Sequence, residues 1–233
     1  MIRIENLEVF NLEGAIRGMR NAKNSWHLSD SEYQVFSDEH GRLTKEEFVI
    51  GPKDMKLAHD LEVGGPPHRK YLRQIFVSMD IIAPRYFWTQ FDTYKVGTTK
   101  NSCSTMHKIH AKDILIQDFS HEHVDSEQTL LTYKGIKFST GDVYNLAVLA
   151  LNELKNKFNE TKDKKYWYQI IQLLPQGYNQ RATVTLDYEN IVDMLQWRSE
   201  HKLDEWRDFC HIMMQKLPYI KEIIEGDFAD ETK

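Results

Sequence analysis

From Ser139 to the end of the chain, apolar residues recur at helical spacing in one segment after another. Ser139-Thr140-Gly141-Asp142 reads as an N-cap, and Val143, Leu146, Leu149, Leu151 and Leu154 follow it as an apolar stripe. Lys164 to Leu174 predicts a second helix, stopped by Pro175. Asp187 to Glu200 and Asp204 to Lys216 predict two more, and Pro218 starts the last. Only Ala182-Thr183-Val184-Thr185-Leu186 interrupts them, alternating as a strand does. Several helices with a few separated strands predict an α+β domain.

The first half is less regular. Leu12, Ala15, Ile16 and Met19 give residues 12–24 an amphipathic spacing, with Arg17, Arg20 and Lys23 on the other side. Residues 25–65 are irregular apart from a strand at Glu47 to Ile50 and a helix at Pro52 to Leu61. Gly64-Gly65-Pro66-Pro67 is a hard break. Leu72 to Ile82 then carries a strand-like apolar and β-branched run, and Pro84 opens a short helix through Asp92. No repeat, low-complexity tract or interdomain linker is visible, so the expectation is one domain over residues 1–233.

Charge narrows the classes of partner. A formal net charge of -5 argues against a protein that coats nucleic-acid backbone, though it leaves room for a local basic pocket holding one phosphate. Cys103 and Cys210 are too few for a disulfide framework or a structural zinc site. Met1-Ile2-Arg3-Ile4-Glu5 lacks the layout of a signal peptide, and no run of about 18 apolar residues occurs. The expected setting is a reducing cytoplasm, away from membranes.

Arg85 to His110 holds the densest group of functional side chains. Thr93, Thr98, Thr99, Ser102, Ser104 and Thr105 sit beside Lys95, Lys100 and Lys108, with Cys103 among them. Hydroxyl, amide and ammonium groups after an aromatic run suit a phosphorylated or carbonyl-rich small molecule; the same residue types also make a solvated loop. The aromatic run, Tyr86 to Phe91, reads either as core or as a platform for a ring.

The second half carries Leu174-Pro175, Thr183, Thr185, Asp187, Glu189, Met194-Leu195, Trp197-Arg198 and Glu205-Trp206-Arg207 in one order and spacing. That order resembles the flavin-dependent thymidylate synthases, whose second half runs Leu-Pro, a threonine-containing strand, Asn-x-Arg, an apolar helix ending Leu-Arg, then Glu-x-Arg. In the first half His68 and Gln90 are spaced like the family's flavin-site histidine and substrate-binding glutamine, and Ala83-Pro84 also fits. The resemblance covers residues 12–25 and 66–225. It implies a small antiparallel sheet flanked by helices and a homotetramer with active sites at subunit interfaces. It also implies dUMP as substrate, FAD as cofactor, and NADPH and methylenetetrahydrofolate as co-substrates. Gln90, Lys95, Asn101 and Arg198 would then bind substrate, with Arg198 on the phosphate; His68, Tyr94, Asp187 and Asp193 would line the cofactor, and Ser104 or Cys103 would stand at the reacting edge.

The chain departs from that pattern where the family has an Arg-His-Arg triplet, which reads here Thr93-Tyr94-Lys95. Asp187 stands for an asparagine and Glu189 for an arginine. An ungapped register puts Cys103 at the family's second serine and Thr105 at its arginine; a shift of one residue matches Asn101 and Ser104 instead and puts Met106 at the arginine. Threonine and tyrosine cannot reproduce bidentate guanidinium contacts, and Lys95 supplies a point charge only. Lys100 and Lys108 are further cations within reach of that vacancy in sequence. Three readings therefore stand: a thymidylate synthase-like enzyme, a noncatalytic or altered-specificity nucleotide-binding relative that has lost the flavin site, or a transferase acting on another nucleotide with Cys103 as a covalent nucleophile. His107 with His110, and His121 with His123, would make a metal site only on a regular helix or strand and with a third ligand, so no metal is expected. Lys155-Asn156-Lys157 and Lys162-Asp163-Lys164-Lys165 read as solvated helical surface.

Overall fold

The computed structural model describes residues 2–38, 40 and 42–226, without the side chains of residues 106 and 107. Strand β1 (Arg3–Phe10) leads into helix α1 (Leu12–Met19), then strands β2 (Glu32–Ser37) and β3 (Leu43–Val49) and helix α2 (Pro52–Val63). Strand β4 (Phe76–Pro84), helix α3 (Arg85–Phe91), strand β5 (Thr99–Ser102) and the single turn α4 (Thr105–Lys108) follow. Strands β6 (Thr129–Tyr133) and β7 (Ile136–Ser139) precede helices α5 (Thr140–Thr161) and α6 (Lys164–Leu173). Strand β8 (Asn179–Asp187) and helices α7 (Tyr188–Arg198), α8 (Asp204–Lys216) and α9 (Ile220–Glu225) complete the described chain.

The class is α+β with small antiparallel sheets. Four strands form a sheet in the order β1-β4-β8-β5, while β2 with β3 and β6 with β7 make separate antiparallel hairpins. Alternation drives the central strands: Val77, Met79, Ile81 and Ala83 of β4 are buried, as are Ala182, Val184 and Leu186 of β8. By contact the chain forms two compact units, Met1–Ile4, Asp80–Thr93 and Lys100–Thr183 in one, and Glu5–Met79, Tyr94–Thr99 and Val184–Lys233 in the other.

In the first unit, Leu151 of α5 and Ile170 and Leu174 at α6 pack with Ile109, Ile114 and Phe119 into one apolar cluster. The α5 start follows the sequence expectation closely. Ser139 Oγ accepts from Asp142 N at 3.0 Å and the Asp142 carboxylate accepts from Ser139 N at 2.9 Å, a reciprocal capping box. The Ser139 backbone N–H, then its hydroxyl, hold the Asp142 carboxyl below the ordinary range. Ser139→Ala is expected to lower the unfolding free energy by about 1 kcal/mol, measured as a shift in the urea midpoint at constant slope. Lys155, expected on a solvated face, is instead buried and paired with Asp113, because its long stem can lie across the apolar helix surface.

In the second unit, α1, α2, α7, α8 and α9 share a core that includes Ile16, Met55, Ile191, Trp206, Phe209 and Ile223. Two buried tyrosines tie segments together: Tyr71 Oη donates to Ala58 O at 2.8 Å, and Tyr188 Oη donates to Pro218 O at 3.0 Å. Helix α1 stops at Met19, short of the expected 24, where a 3-10 turn at Asn21–Lys23 takes over. Arg20, read as outward-facing, is buried against Asp54. The expected strand from Leu72 begins only at Phe76, because Lys70–Gln74 forms a 3-10 turn that buries Tyr71 and Leu72.

Candidate functional site

Asp187 begins the site in the second unit. As the N-cap of α7 its Oδ1 accepts from Asn190 N and Asn190 Nδ2, both at 2.9 Å. Burial raises its carboxyl pKa, against those two hydrogen bonds. Gly97 closes onto this turn with φ +73, and a Cβ there would lie 2.7 Å from Asp187 Oδ2, so the chain approaches as only glycine allows. The loop at Gly97 is thereby held against the start of α7.

Arg198 is the last residue of α7. Its Nε donates to Tyr94 Oη at 2.9 Å, and its guanidinium carbon lies 5.6 Å from the Tyr94 ring centre and 5.0 Å from that of Trp206. The two rings are themselves 5.9 Å apart. Among the described residues Arg198 has no carboxylate partner and no other hydrogen bond, so its two terminal nitrogens are available to a ligand. Nearby, burial and the charges of Arg198, Arg207 and Lys202 lower the pKa of His201, which marks the surroundings as electropositive. Lys95, next to Tyr94, is exposed.

A second cluster lies where the resemblance would have an arginine. Glu189 binds Arg69 Nε at 3.1 Å and Arg73 Nη2 at 3.1 Å, and Arg69 also reaches Glu62 at 3.4 Å and Asp193 at 2.7 Å. Burial works to raise the Glu189 pKa, but the two guanidinium groups bring it below the usual carboxylate value. Positive charge is thus present, carried by the segment after His68 and already matched by acids. His68 itself is exposed. Arg69 borders a cavity of about 1000 Å³ whose floor includes Val192, Leu195, Met214 and Ile224, with His211 and Arg207 among its polar lining. That volume lies within the range of pockets for drug- or cofactor-sized molecules.

In the first unit, β5 and the following turn shape a smaller cavity of about 410 Å³, lined by Cys103, Ser104, Lys108, Tyr178, Asn179 and Arg181 among others. Cys103 N donates to Arg181 O at 2.9 Å and Gln180 Nε2 donates to Cys103 O at 2.6 Å, which pins the backbone at Cys103 to β8. The Oδ1 of Asn179 is buried there without a partner. Asn101 is exposed on β5 and Gln90 is half-buried on α3. Lys100 is engaged by Asp92 and lies 5.0 Å from the Trp88 ring centre, whereas Lys108 lines the cavity.

The expected residues therefore fall into two groups: His68, Tyr94, Lys95, Asp187, Asp193 and Arg198 belong to one unit, Gln90, Asn101, Cys103 and Ser104 to the other. Of the aromatic run, Phe87, Trp88 and Phe91 are buried core, with Trp88 Nε1 donating to Gln180 O at 2.9 Å, so its rings do not form an open platform. The side chains of Met106 and His107 lie outside the described residues; no group of three metal-ligating side chains occurs among those described. Arg69, Arg73 and Trp206 were not singled out as site residues from sequence. Trp206 stood inside the Glu205-Trp206-Arg207 motif, and Arg69 directly follows His68, so position alone was the available signal.

No family profile matches the chain, and no curated relative is found from sequence. Solved structures do match. Thymidylate synthase X from Helicobacter pylori, solved with FAD and dUMP, aligns with TM-score 0.63 and 16% identity over 97% of this chain and 98% of that one. A second Helicobacter pylori structure of the flavin-dependent enzyme, also with FAD and dUMP, gives 0.61 and 16% over the same shares. The likeness is one of fold. A UMP/dUMP methylase, PolB from Streptomyces cacaoi bound with 5-Br dUMP, shares this thymidylate synthase-like fold at TM-score 0.56 and 11% identity over 97% and 92%. Among the described residues no helix is long and apolar enough to cross a membrane.

Proposed function

We propose that this chain forms a single thymidylate synthase-like domain acting on a pyrimidine nucleoside monophosphate, with reductive methylation of dUMP to dTMP as its reaction. The observation that carries this reading is Arg198: a guanidinium stacked on two aromatic rings, without an acidic partner among the described residues, at the position matching the family's phosphate-binding arginine. A planar fork suits a phosphate dianion, and the exposed Lys95, next in sequence to Tyr94, adds positive charge to the same loop. By the resemblance, Gln90 and Asn101 are assigned to base and sugar, and Ser104 or Cys103, which line the smaller cavity, to the ring edge. Methylenetetrahydrofolate would supply the carbon and NADPH the electrons. Assembly as a homotetramer would bring further copies of these residues to each site.

The cavity bordered by Arg69 has the size and apolar lining that a flavin ring requires. His68, Tyr94, Asp187 and Asp193, which the resemblance assigns to the cofactor, are not among its lining residues. Bound there, FAD would deliver the hydride. This chain's part is to hold the ring away from water and to fix the nucleotide's phosphate. The acids around Arg69 and Arg73 favour the second reading, a nucleotide-binding relative without flavin, because Glu62, Glu189 and Asp193 leave those guanidinium groups no charge for a pyrophosphate.

Carbon–carbon bond formation at C5 of uracil displaces the C5 hydrogen, so the test uses dUMP tritiated at C5 with FAD, NADPH and methylenetetrahydrofolate. Tritium release to water, with flavin absorbance retained on the purified protein, is the expected result. Binding of dUMP without release and without reconstitution by FAD would select the second reading. Absence of any dUMP binding would remove both.

A further inference from the structure

We infer that Tyr94 is a positioning residue for Arg198, and that it makes the site selective for a terminal phosphate presented to the two Nη nitrogens. This rests on the proposed nucleotide reading and extends it to a residue that the resemblance assigns to the cofactor side. A guanidinium has five N–H donors on three nitrogens, and an anion can take either its Nε edge or its terminal edge. In this chain Nε is already donated to Tyr94 Oη at 2.9 Å, which closes the Nε edge. The Tyr94 ring, 5.6 Å from the guanidinium carbon, and the Trp206 ring, 5.0 Å from it, restrict rotation of the plane. The terminal edge remains, with its nitrogens set for two parallel bonds to one phosphate group.

Tyr94 reaches this place because of the local chain. Gly97, at φ +73 against Asp187 and Asn190, holds the loop to the first turn of α7, while Tyr94 meets the other end of the same helix. An arginine at a helix end without such partners samples many rotamers and loses that freedom on binding. Tyr94 removes part of that loss beforehand.

The test compares affinities for dUMP and for deoxyuridine, which lacks the phosphate, by ligand-observed NMR in the full chain and its Tyr94→Phe variant. Phenylalanine keeps the ring and removes the hydroxyl acceptor. The expected result is a fall of about fivefold in the ratio of dUMP to deoxyuridine affinity, as loss of one hydrogen bond gives, with deoxyuridine affinity unchanged. Equal weakening of both ligands would show a merely structural role, and an unchanged ratio would show that the hydroxyl does nothing; either overturns the inference. Arg198→Ala separates the two levels. If it collapses the ratio while Tyr94→Phe does not, the positioning role alone is wrong; if it too leaves the ratio intact, the phosphate is held elsewhere and the nucleotide reading at Arg198 fails with it.

Discussion

Replacing Arg198 with alanine is expected to raise the Kd for dUMP about 10- to 100-fold, measured by isothermal titration calorimetry. Hydrogen bonds between charged groups contribute roughly 1.5 to 3 kcal/mol, and each 1.4 kcal/mol is about a factor of ten. The fold should tolerate the change, because Arg198 is only half-buried and its polar link among the described residues is to the Tyr94 hydroxyl. Arg198→Lys is the informative companion. It keeps the charge but loses the planar fork and the Nε contact, so it should recover only part of the affinity. Full recovery with lysine would mean that charge alone matters and that the aromatic stack is incidental.

The second large effect concerns stability. Asp54 is fully buried and accepts hydrogen bonds from Arg20 Nε, Ser29 Oγ, Asp30 N, Ser31 N and Ser31 Oγ. Arg20 is buried with it. Removing one partner of a buried pair leaves the other charge uncompensated, so Asp54→Asn is expected to destabilise the fold by about 3 to 5 kcal/mol in a urea melt. The same carboxylate gives a direction to the pH dependence. Burial alone would raise its pKa, but Ser29, Ser31 and Arg20 outweigh burial and lower it. A group with a lowered native pKa contributes stability that is complete above its unfolded value, near 4, and is lost as pH falls through the native one. Wild-type unfolding free energy should therefore decline as the pH drops below about 4, and the Asp54→Asn variant should show a shallower decline. Parallel slopes in both proteins would place the acid sensitivity in other carboxylates.

Where the chain buries one face, its sequence was readable. The capping box at Ser139, the boundaries of α8 and the alternation of β8 all follow from residues that point into a core. Of the hairpin strands only the end of β3 was expected, as the strand at Glu47 to Ile50, and β2, β6 and β7 escaped notice for the opposite reason. Every residue of β2 is exposed, and so is every residue of β6, so no inside-and-outside alternation was written into them. One local cue existed at β6–β7. Lys134 (φ 49) and Gly135 (φ 82) make a two-residue turn between the paired Tyr133 and Ile136, and Gly135 was its visible mark. The site shows a similar split. Arg198 stood out by its place in a spaced motif, but its partner Tyr94 lies 104 residues away and Glu189 lies 120 residues from Arg69. Contacts at such separations are set by how α7 packs, which no local pattern encodes. Lys155 and Arg20 misled for a related reason, since a basic residue on a polar stripe can still be turned inward by one acid from another segment.

The two cysteines have opposite fates. Cys210 is buried, and its thiol pKa is pushed up to about 12 by that burial, so it stays protonated and inert at neutral pH. Cys103 is exposed at the mouth of the smaller cavity. Thiol-selective electrophiles meeting this chain will therefore converge on Cys103, and a single fluorophore attached there would sit as a sentinel over whatever enters beside Ser104.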